Sequence, residues 1–188
     1  METSRLAIDQ LVREHSSMAV LLVMLDSYFA AIKDGDEVDD SLLLDAMRYL
    51  TEFADSVHHT KEDLAVAAVF DRTAAIRAAQ SELDAQHLRI RQSGMRLRAD
   101  LERALLDVPM PRGALAAEGF AYTAELRRSI EFEEQRLFPI LVDTLDDDEW
   151  ARVGARLGPR LDPLFGERAE AEYIQLLAEL TERFVCAP

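Results

Sequence analysis

Apolar residues recur at three- and four-residue spacing along most of the chain, the pattern that predicts amphipathic α-helices. Four long stretches carry it, from about residue 4 to 32, 41 to 71, 74 to 106 and 114 to 145. Glycine and proline cluster between them, in KDGDEVDD (33–40) and DVPMPRG (107–113). No alternating run of useful length predicts a β-strand. The pattern therefore predicts an all-α protein.

Four helices of about 30 residues, joined by short connections, most economically form an antiparallel four-helix bundle. We predict this bundle for residues 1–145. Two shorter helical patterns follow, DDDEWARVGARL and GERAEAEYIQLLAELTERFV, and predict additional C-terminal helices. This extension, residues 146–188, should pack on the bundle or flank it. Pro139 lies within the fourth stretch, where it should kink the helix or mark its last turns.

Composition narrows the class of protein further. The chain of 188 residues suffices for one domain, and 49% hydrophobic with 30% charged residues is typical of soluble globular proteins. Its 21 basic and 36 acidic residues give a net charge of −15. A surface this negative argues against nucleic acid and membrane partners. The single cysteine, Cys186, excludes an intrachain disulfide or a cysteine-based zinc site and fits a reducing cytoplasm.

The chain has four histidines, and each of the first three helical stretches carries at least one near mid-length. His15 lies on the apolar stripe of the first stretch, and His87 lies on that of the third. His58 and His59 stand side by side in the second. Because mid-length positions of antiparallel helices meet at one level, we expect these imidazoles to converge.

Two carboxylates accompany the imidazoles. Glu62 follows His58 by four residues, so both project from one face of the second helix. Glu133 shares an apolar stripe of the fourth stretch with Leu126 and Leu137. An isolated buried carboxylate is costly, so an inward glutamate requires a cation. Imidazole and carboxylate ligands without thiolate suit iron or manganese and permit zinc. Periodicity alone leaves a metal site and hydrogen-bonded core histidines as equal alternatives.

These segments resemble the hemerythrin-like (HHE cation-binding) family, a four-helix bundle with a non-haem di-iron site. The similarity spans about residues 6–145 and depends on LVREHSSM, FADSVHHTKEDL, QHLRIRQ and EFEEQRLFPIL. The HH-x-x-E-[ED] stretch is the most specific of these motifs, and EE-x-x-LFP is the next. The resemblance implies five iron ligands, with both carboxylates bridging the metal ions: His15, His58, Glu62, His87 and Glu133.

The sequence departs from the family pattern at the ligands of one metal. Ser129 stands where the family places a histidine, four residues before the helix-four carboxylate. Leu83 stands where oxygen-carrying members have a second helix-three histidine. One metal position therefore keeps its histidines, whereas the other keeps only His87 and the shared carboxylates. His59 and Glu125 are candidate additional ligands, and a single iron ion is an alternative to the di-iron site.

The resemblance implies a non-haem iron protein that binds or reduces O2, peroxide or nitric oxide in sensing or detoxification. One alternative is a di-iron oxidase or oxygenase acting on a small molecule, which Ser129 favours because it frees a coordination position. Another is a non-catalytic, metal-stabilised interaction module. Whether the protein is an enzyme stays open, and no catalytic residue is assigned. The C-terminal extension could cover the site, form a homodimer or dock a partner.

Overall fold

The computed structural model describes residues 2–106, 108–157, 162–166 and 169–182. Every regular element in these ranges is helical, so the all-α prediction is confirmed. In chain order the elements are α1 (Glu2–Asp34), α2 (Asp40–Tyr49), the π-helical stretch π1 (Leu50–His58), α3 (His59–Ala67), α4 (Ala74–Leu105), α5 (Arg112–Phe132), the π-helical stretch π2 (Glu133–Leu137), α6 (Phe138–Thr144), α7 (Asp147–Leu157), a 3-10 turn (Ala171–Tyr173) and α8 (Ile174–Leu180).

Two helix starts follow directly from local side-chain chemistry. Asp39 is extended, and its carboxylate accepts hydrogen bonds from the backbone N–H groups of Ser41 at 3.0 Å and Leu42 at 3.2 Å. Thr73 is also extended, and its hydroxyl accepts from the N–H of Ile76 at 3.1 Å. Each such cap contributes about 1 kcal/mol. These caps place the starts of α2 and α4 at the residues where the sequence pattern begins.

The second and fourth long helical segments each contain an irregular stretch. π1 ends at His58 and π2 begins at Glu133, so both stretches adjoin predicted metal ligands. π-helical stretches within longer α-helical segments occur frequently at functional sites. Pro139 lies in the first turn of α6, directly after π2. Because proline has no N–H to continue the helical ladder, the distortion predicted there takes the form of this widened turn.

Among the residues that the structure describes, two clusters of apolar side chains fill the interior. The larger one joins α1, α2, π1, α4 and α5 and includes Leu21, Leu25, Tyr49 and Tyr122. The smaller one joins α1, α3, α4, α6 and α7 and includes Leu11, Leu83, Phe138 and Trp150. All of these side chains are at least nine-tenths buried. Their burial supplies the main driving force for folding.

A layer of buried polar side chains separates the two clusters. In α1, His15 lies between Leu11 of the smaller cluster and Met18 of the larger one. Burying polar groups between apolar clusters is unfavourable unless they are paired, so this layer needs a functional explanation. None of its members is more than 7% exposed: Glu14, His15, His58, His59, Lys61, Glu62, His87, Ser129 and Glu133.

The C-terminal elements contribute to both apolar clusters. Trp150 and Val153 of α7 belong to the smaller cluster, and Leu176 and Leu180 of α8 belong to the larger one. α7 packs against α1 and α3, whereas α8 packs against α2 and α1. The described residues after 145 therefore share the core of the preceding helices. Cys186 lies outside the described residues.

The apolar residues of α1 pack in the core of the protein. Residues 7–34 are long and apolar enough to cross a membrane, with a mean hydropathy of 1.4 over an 18-residue window. Half of that window is buried inside the protein, and Met18, Leu21 and Leu22 are fully buried. A core helix meets the same criterion of length and composition, so this stretch is weak evidence for a membrane span.

Candidate metal centre

Four side chains from α1, π1, α3 and π2 bring ligand atoms together in the polar layer. They are His15, His58, Glu62 and Glu133, and their ligand atoms all lie within 4.8 Å of one another. Nε2 of His15 is 2.9 Å from Nε2 of His58 and 3.1 Å from Oε2 of Glu133. Oε1 of Glu62 is 3.5 Å from Nε2 of His58 and 3.7 Å from Nε2 of His15. We call this group the first metal position.

The separations within this group suit a single metal ion. Two ligand atoms that are each about 2.1 Å from an ion lie about 3.0 Å apart at a right angle and about 3.4 Å apart at the tetrahedral angle. The observed separations of 2.9, 3.1, 3.5 and 3.7 Å cover this range and slightly exceed it. The side chains present therefore fit a transition-metal ion with nitrogen and oxygen ligands.

A second group of ligand atoms lies on the other side of the two carboxylates. It combines His59, Glu62 and His87. Nε2 of His87 is 3.4 Å from Oε2 of Glu62 and 3.3 Å from Oε1 of Glu133. The rings of His59 and His87 stack, with 3.7 Å between centroids and an interplanar angle of 17°. We call this group the second metal position.

Each carboxylate divides its oxygens between the two positions. Glu62 turns Oε1 towards the first position and Oε2 towards His87. Glu133 turns Oε2 towards His15 and Oε1 towards His87. Although Glu62 is fully buried, neither of its oxygens accepts a hydrogen bond from the described residues. A buried carboxylate in this condition is costly, and a pair of cations would satisfy both oxygens.

In the absence of a metal ion, protons on the imidazoles balance the carboxylates. Burial lowers the pKa of His15 and His87, but the carboxylates of Glu133 and Glu62 outweigh it and raise both pKa values to about 10. Burial raises the pKa of Glu62, but the positive charge of His58 and the neighbouring rings holds that pKa well below its usual range. A cation must displace these protons, so metal binding should release protons to solvent.

Both histidines of the first metal position also hydrogen-bond to carboxylates through Nδ1, the ring nitrogen that points away from the other ligand atoms. Nδ1–H of His58 donates to Oε2 of Glu14 at 2.8 Å, and Nδ1–H of His15 donates to Oε1 of Glu134 at 2.8 Å. Such hydrogen bonds determine which ring nitrogen is available to a metal. Because Nδ1 is the donor in both rings, the Nε2 atoms face each other at the place where a cation would lie.

Sequence reasoning assigned no role to Glu14, Lys61 or Glu134. On a helical pattern all three are ordinary charged positions, yet Glu14 and Lys61 are 7% and 3% exposed. Each of the three directly adjoins a predicted ligand in the chain. That adjacency is the one signal that could have drawn attention to them, although neighbouring residues on a regular helix point about 100° apart.

Ser129 occupies the place where the family pattern has a histidine. Its side chain is 1% exposed, and its hydroxyl donates a hydrogen bond to Oε1 of Glu133 at 2.8 Å. This is the carboxylate oxygen that faces His87. Ser129 therefore orients a carboxylate at the second metal position and supplies no nitrogen ligand there.

The two candidate additional ligands have different surroundings. His59 is buried and belongs to the ligand group of the second position. Glu125 accepts hydrogen bonds from Arg89 at 2.8 Å and from Arg128 at 2.7 Å on the outer side of α5. The carboxylate of Glu125 is thus engaged by surface arginines and lies outside both ligand groups.

Comparison with known proteins agrees with this geometry. The family profile described as the hemerythrin HHE cation-binding domain matches residues 6–141, which is more than half of the chain. No curated protein and no solved structure matches the chain. The matched residues include every side chain of both metal positions, and the family and the buried cluster together support a bound metal. The chain belongs to the hemerythrin HHE cation-binding domain family.

Proposed function

We propose that the centre holds two iron ions, one at each metal position, with Glu62 and Glu133 as bridging ligands. The histidines of each position would be its terminal ligands. The observation that carries this proposal is the division of carboxylate oxygens, since each glutamate has one oxygen beside each set of imidazoles. Imidazole and carboxylate ligands without thiolate suit iron. The family assignment supports the same metal.

An antiparallel four-helix bundle would give this centre its framework. The long helical segments pack pairwise, α1 on α5, α4 on α5 and α2 on α4. Short connections join successive segments, which favours antiparallel neighbours. One polar layer then receives side chains from every segment at a similar depth. The single cysteine in 188 residues supports a place in the reducing cytoplasm.

We infer that the exogenous ligand is a small molecule such as O2, peroxide or nitric oxide, bound or reduced in sensing or detoxification. The histidines and carboxylates of both positions are at most 5% exposed, and Phe138 stacks on the ring of His15 at 5.6 Å. Such an enclosed centre suits a ligand of a few atoms better than a larger molecule. Bound iron would supply the redox chemistry, while Ser129 leaves a coordination position at the second site for the ligand.

A second candidate function is that of a di-iron oxidase or oxygenase. Ser129 supports it as well, because an ion with fewer protein ligands has room for a substrate. Such an enzyme would turn over irreversibly, whereas a binding protein would release its ligand unchanged. The enclosure of the centre favours the binding function over an organic substrate.

Metal analysis and optical spectra of aerobically purified protein test these proposals. We expect iron in the preparation and near-ultraviolet charge-transfer absorption from ferric ions. Reduction with dithionite followed by O2 or nitric oxide should give a reversible spectral change. A permanent change after one cycle would exclude reversible binding and indicate reduction of the ligand, either in detoxification or by an oxidase. A colourless protein that takes up no metal would overturn both functions and leave a metal-free interaction module.

Ser129→His should strengthen metal binding at the second position. The substitution places an imidazole one helical turn before Glu133, where the family pattern has one. Since even groups that only support a ligand change affinity by 10- to 100-fold, we expect the second ion to be lost to a chelator at least about tenfold more slowly. Iron retained after dialysis against EDTA is the measurement. Ser129→Ala is the control, because it removes the hydroxyl and adds no ligand.

A further inference from the structure

Lys61 is a charged member of the polar layer that the proposed metal chemistry does not use. Its side chain is 3% exposed, and lysine is almost never buried to this degree unless it is paired. Nζ donates a hydrogen bond to Oε1 of Glu14 and lies 5.8 Å from the centre of the Phe53 ring. Lys61 in α3 and Glu14 in α1 thus form a buried ion pair beside the metal centre.

Glu14 connects this ion pair to a predicted metal ligand. While Oε1 accepts from Lys61, Oε2 accepts from Nδ1–H of His58 at 2.8 Å. With both oxygens engaged, the carboxylate cannot rotate without losing a hydrogen bond. The proton on Nδ1 leaves Nε2 of His58 available, and Nε2 is the atom that faces the other ligands of the first metal position.

His15, the other histidine of the first metal position, hydrogen-bonds to a carboxylate that is more exposed to solvent. Nδ1 of His15 donates to Glu134 at 2.8 Å, but the side chain of Glu134 is 38% exposed. A half-exposed carboxylate is solvated by water and holds its partner less firmly than a buried one. The Glu14–His58 hydrogen bond is instead shielded from water on both sides. Of the two histidines, His58 therefore has the more rigid support.

We propose that Lys61 and Glu14 are positioning residues that hold His58 in the tautomer whose Nε2 binds metal. Lys61 acts through Glu14 by keeping its carboxylate turned towards His58. The inference rests on the proposed metal binding and names residues that set the affinity of the first position. A purely structural ion pair needs no third partner, whereas here the second oxygen of Glu14 is committed to the imidazole.

The test compares the wild type with two double variants, using Zn2+ alone as a diamagnetic probe. Lys61→Met with Glu14→Leu removes both charges together, so no buried charge is left without its partner. Lys61→Met with Glu14→Gln also removes both charges, but the amide oxygen can still accept the proton of His58. Competition with a chromophoric chelator gives the Zn2+ affinity. Nitrogen-15 NMR gives the tautomer of His58.

We expect Lys61→Met with Glu14→Leu to weaken Zn2+ binding at the first position by about 10- to 100-fold, as is typical when a ligand loses its supporting hydrogen bond. The NMR signal of Nδ1–H of His58 should disappear into a mixture of tautomers. Lys61→Met with Glu14→Gln should regain most of the affinity and keep that signal. Arg98→Met with Glu52→Gln removes a surface ion pair and should change neither reading.

The outcomes separate this inference from the proposed function. If the wild type takes up no Zn2+, the metal-binding proposal itself fails. If it binds Zn2+ and the leucine-substituted double variant binds equally well, only the inference about Lys61 and Glu14 is wrong. A Zn2+-loaded wild type in which Nδ1 of His58 carries no proton also overturns it. This last reading requires no variant, so it decides the matter even when a variant does not fold.

Discussion

Glu62→Ala should remove metal from both positions at once. Glu62 is fully buried, and its two oxygens face different imidazole groups, His15 and His58 on one side and His87 on the other. Losing either a histidine of one position or Ser129 would affect that position alone, but losing Glu62 removes a candidate ligand from both. We expect the metal content of the purified variant to fall from the wild-type value to near zero, measured by elemental analysis.

The same substitution should lower the thermal stability of the metal-loaded protein. A ligand that binds only the folded state stabilises it by about 4 kcal/mol when its concentration is a thousandfold above Kd. The Glu62→Ala variant should lack this stabilisation because it binds no metal. The melting temperature of the variant should therefore not change when metal is added. In the metal-free state the variant also leaves protonated rings of His15 and His87 without one of their two carboxylates.

Two further variants make the interpretation of Glu62→Ala specific. Glu62→Gln keeps the shape of the side chain and removes its charge, so it should also bind less metal although the fold is retained. Glu131→Ala removes an exposed glutamate of α5 and should keep wild-type metal content. Wild-type metal content in Glu62→Ala would contradict the assignment of Glu62 as a ligand, whatever the stability of the variant.

The convergence of the histidines could be predicted from the sequence because the apolar spacing and the residues at the helix boundaries indicate the same helices. Apolar spacing identified the inward face of each helix, and His15 and His87 lie on those faces. The predicted limits of the long helices also agree with the structure to within a few residues, since aspartate, threonine, glycine and proline mark the boundaries. Local sequence signals were therefore sufficient to predict the inward face and the limits of each long helix.

The burial of both His58 and His59 could not be read from helical periodicity. Neighbouring residues on a regular α-helix point about 100° apart, so His59 could be predicted only as a candidate additional ligand beside His58. In the structure a π-helical stretch ends at His58, and both rings are at most 2% exposed. Such a stretch reflects tertiary packing and lacks a residue signature of its own, which is why the pattern missed it.

The buried ion pair of Lys61 and Glu14 was missed for a different reason. Both are strongly charged, and charged residues on a helix normally face solvent. Their burial becomes favourable when they pair with each other across α1 and α3, a contact between residues distant in the chain, and when Glu14 also accepts from His58. A pairing of this kind depends on the three-dimensional arrangement of helices. It explains why the candidate ligands were easier to predict from the sequence than the buried charged side chains beside them.

Gly119→Ala should strongly destabilise the fold while leaving the metal centre intact. A methyl group at Gly119 in α5 would overlap the ring of Phe29 in α1, which is fully buried. Overpacking of this kind costs about 1–3 kcal/mol and occasionally more. Gly119 lies about 20 Å along the helix from Glu133, so the ligand geometry should be unaffected. Urea unfolding of the metal-free protein measures the loss of stability.

Gly154→Ala is the matched control for this effect, and we expect the opposite sign. A methyl group at Gly154 in α7 meets no atom within 4 Å. Replacing glycine by alanine inside a helix stabilises it by about 0.5–1 kcal/mol, because the unfolded chain loses conformational freedom. If Gly119→Ala were instead as stable as Gly154→Ala, α1 and α5 could not approach each other as closely as the structure shows.

Comparing Gly119→Ala with Glu62→Ala separates effects on the stability of the helical framework from effects on metal binding. Gly119→Ala should unfold at lower urea concentration and still bind the wild-type amount of metal. Glu62→Ala should bind almost no metal even under conditions in which it is folded. This opposite pattern follows from where the two residues lie, because Gly119 borders the larger apolar cluster and Glu62 lies in the polar layer. If Gly119→Ala also lost its metal while still folded, the centre would depend on the spacing of α1 and α5 along their whole length.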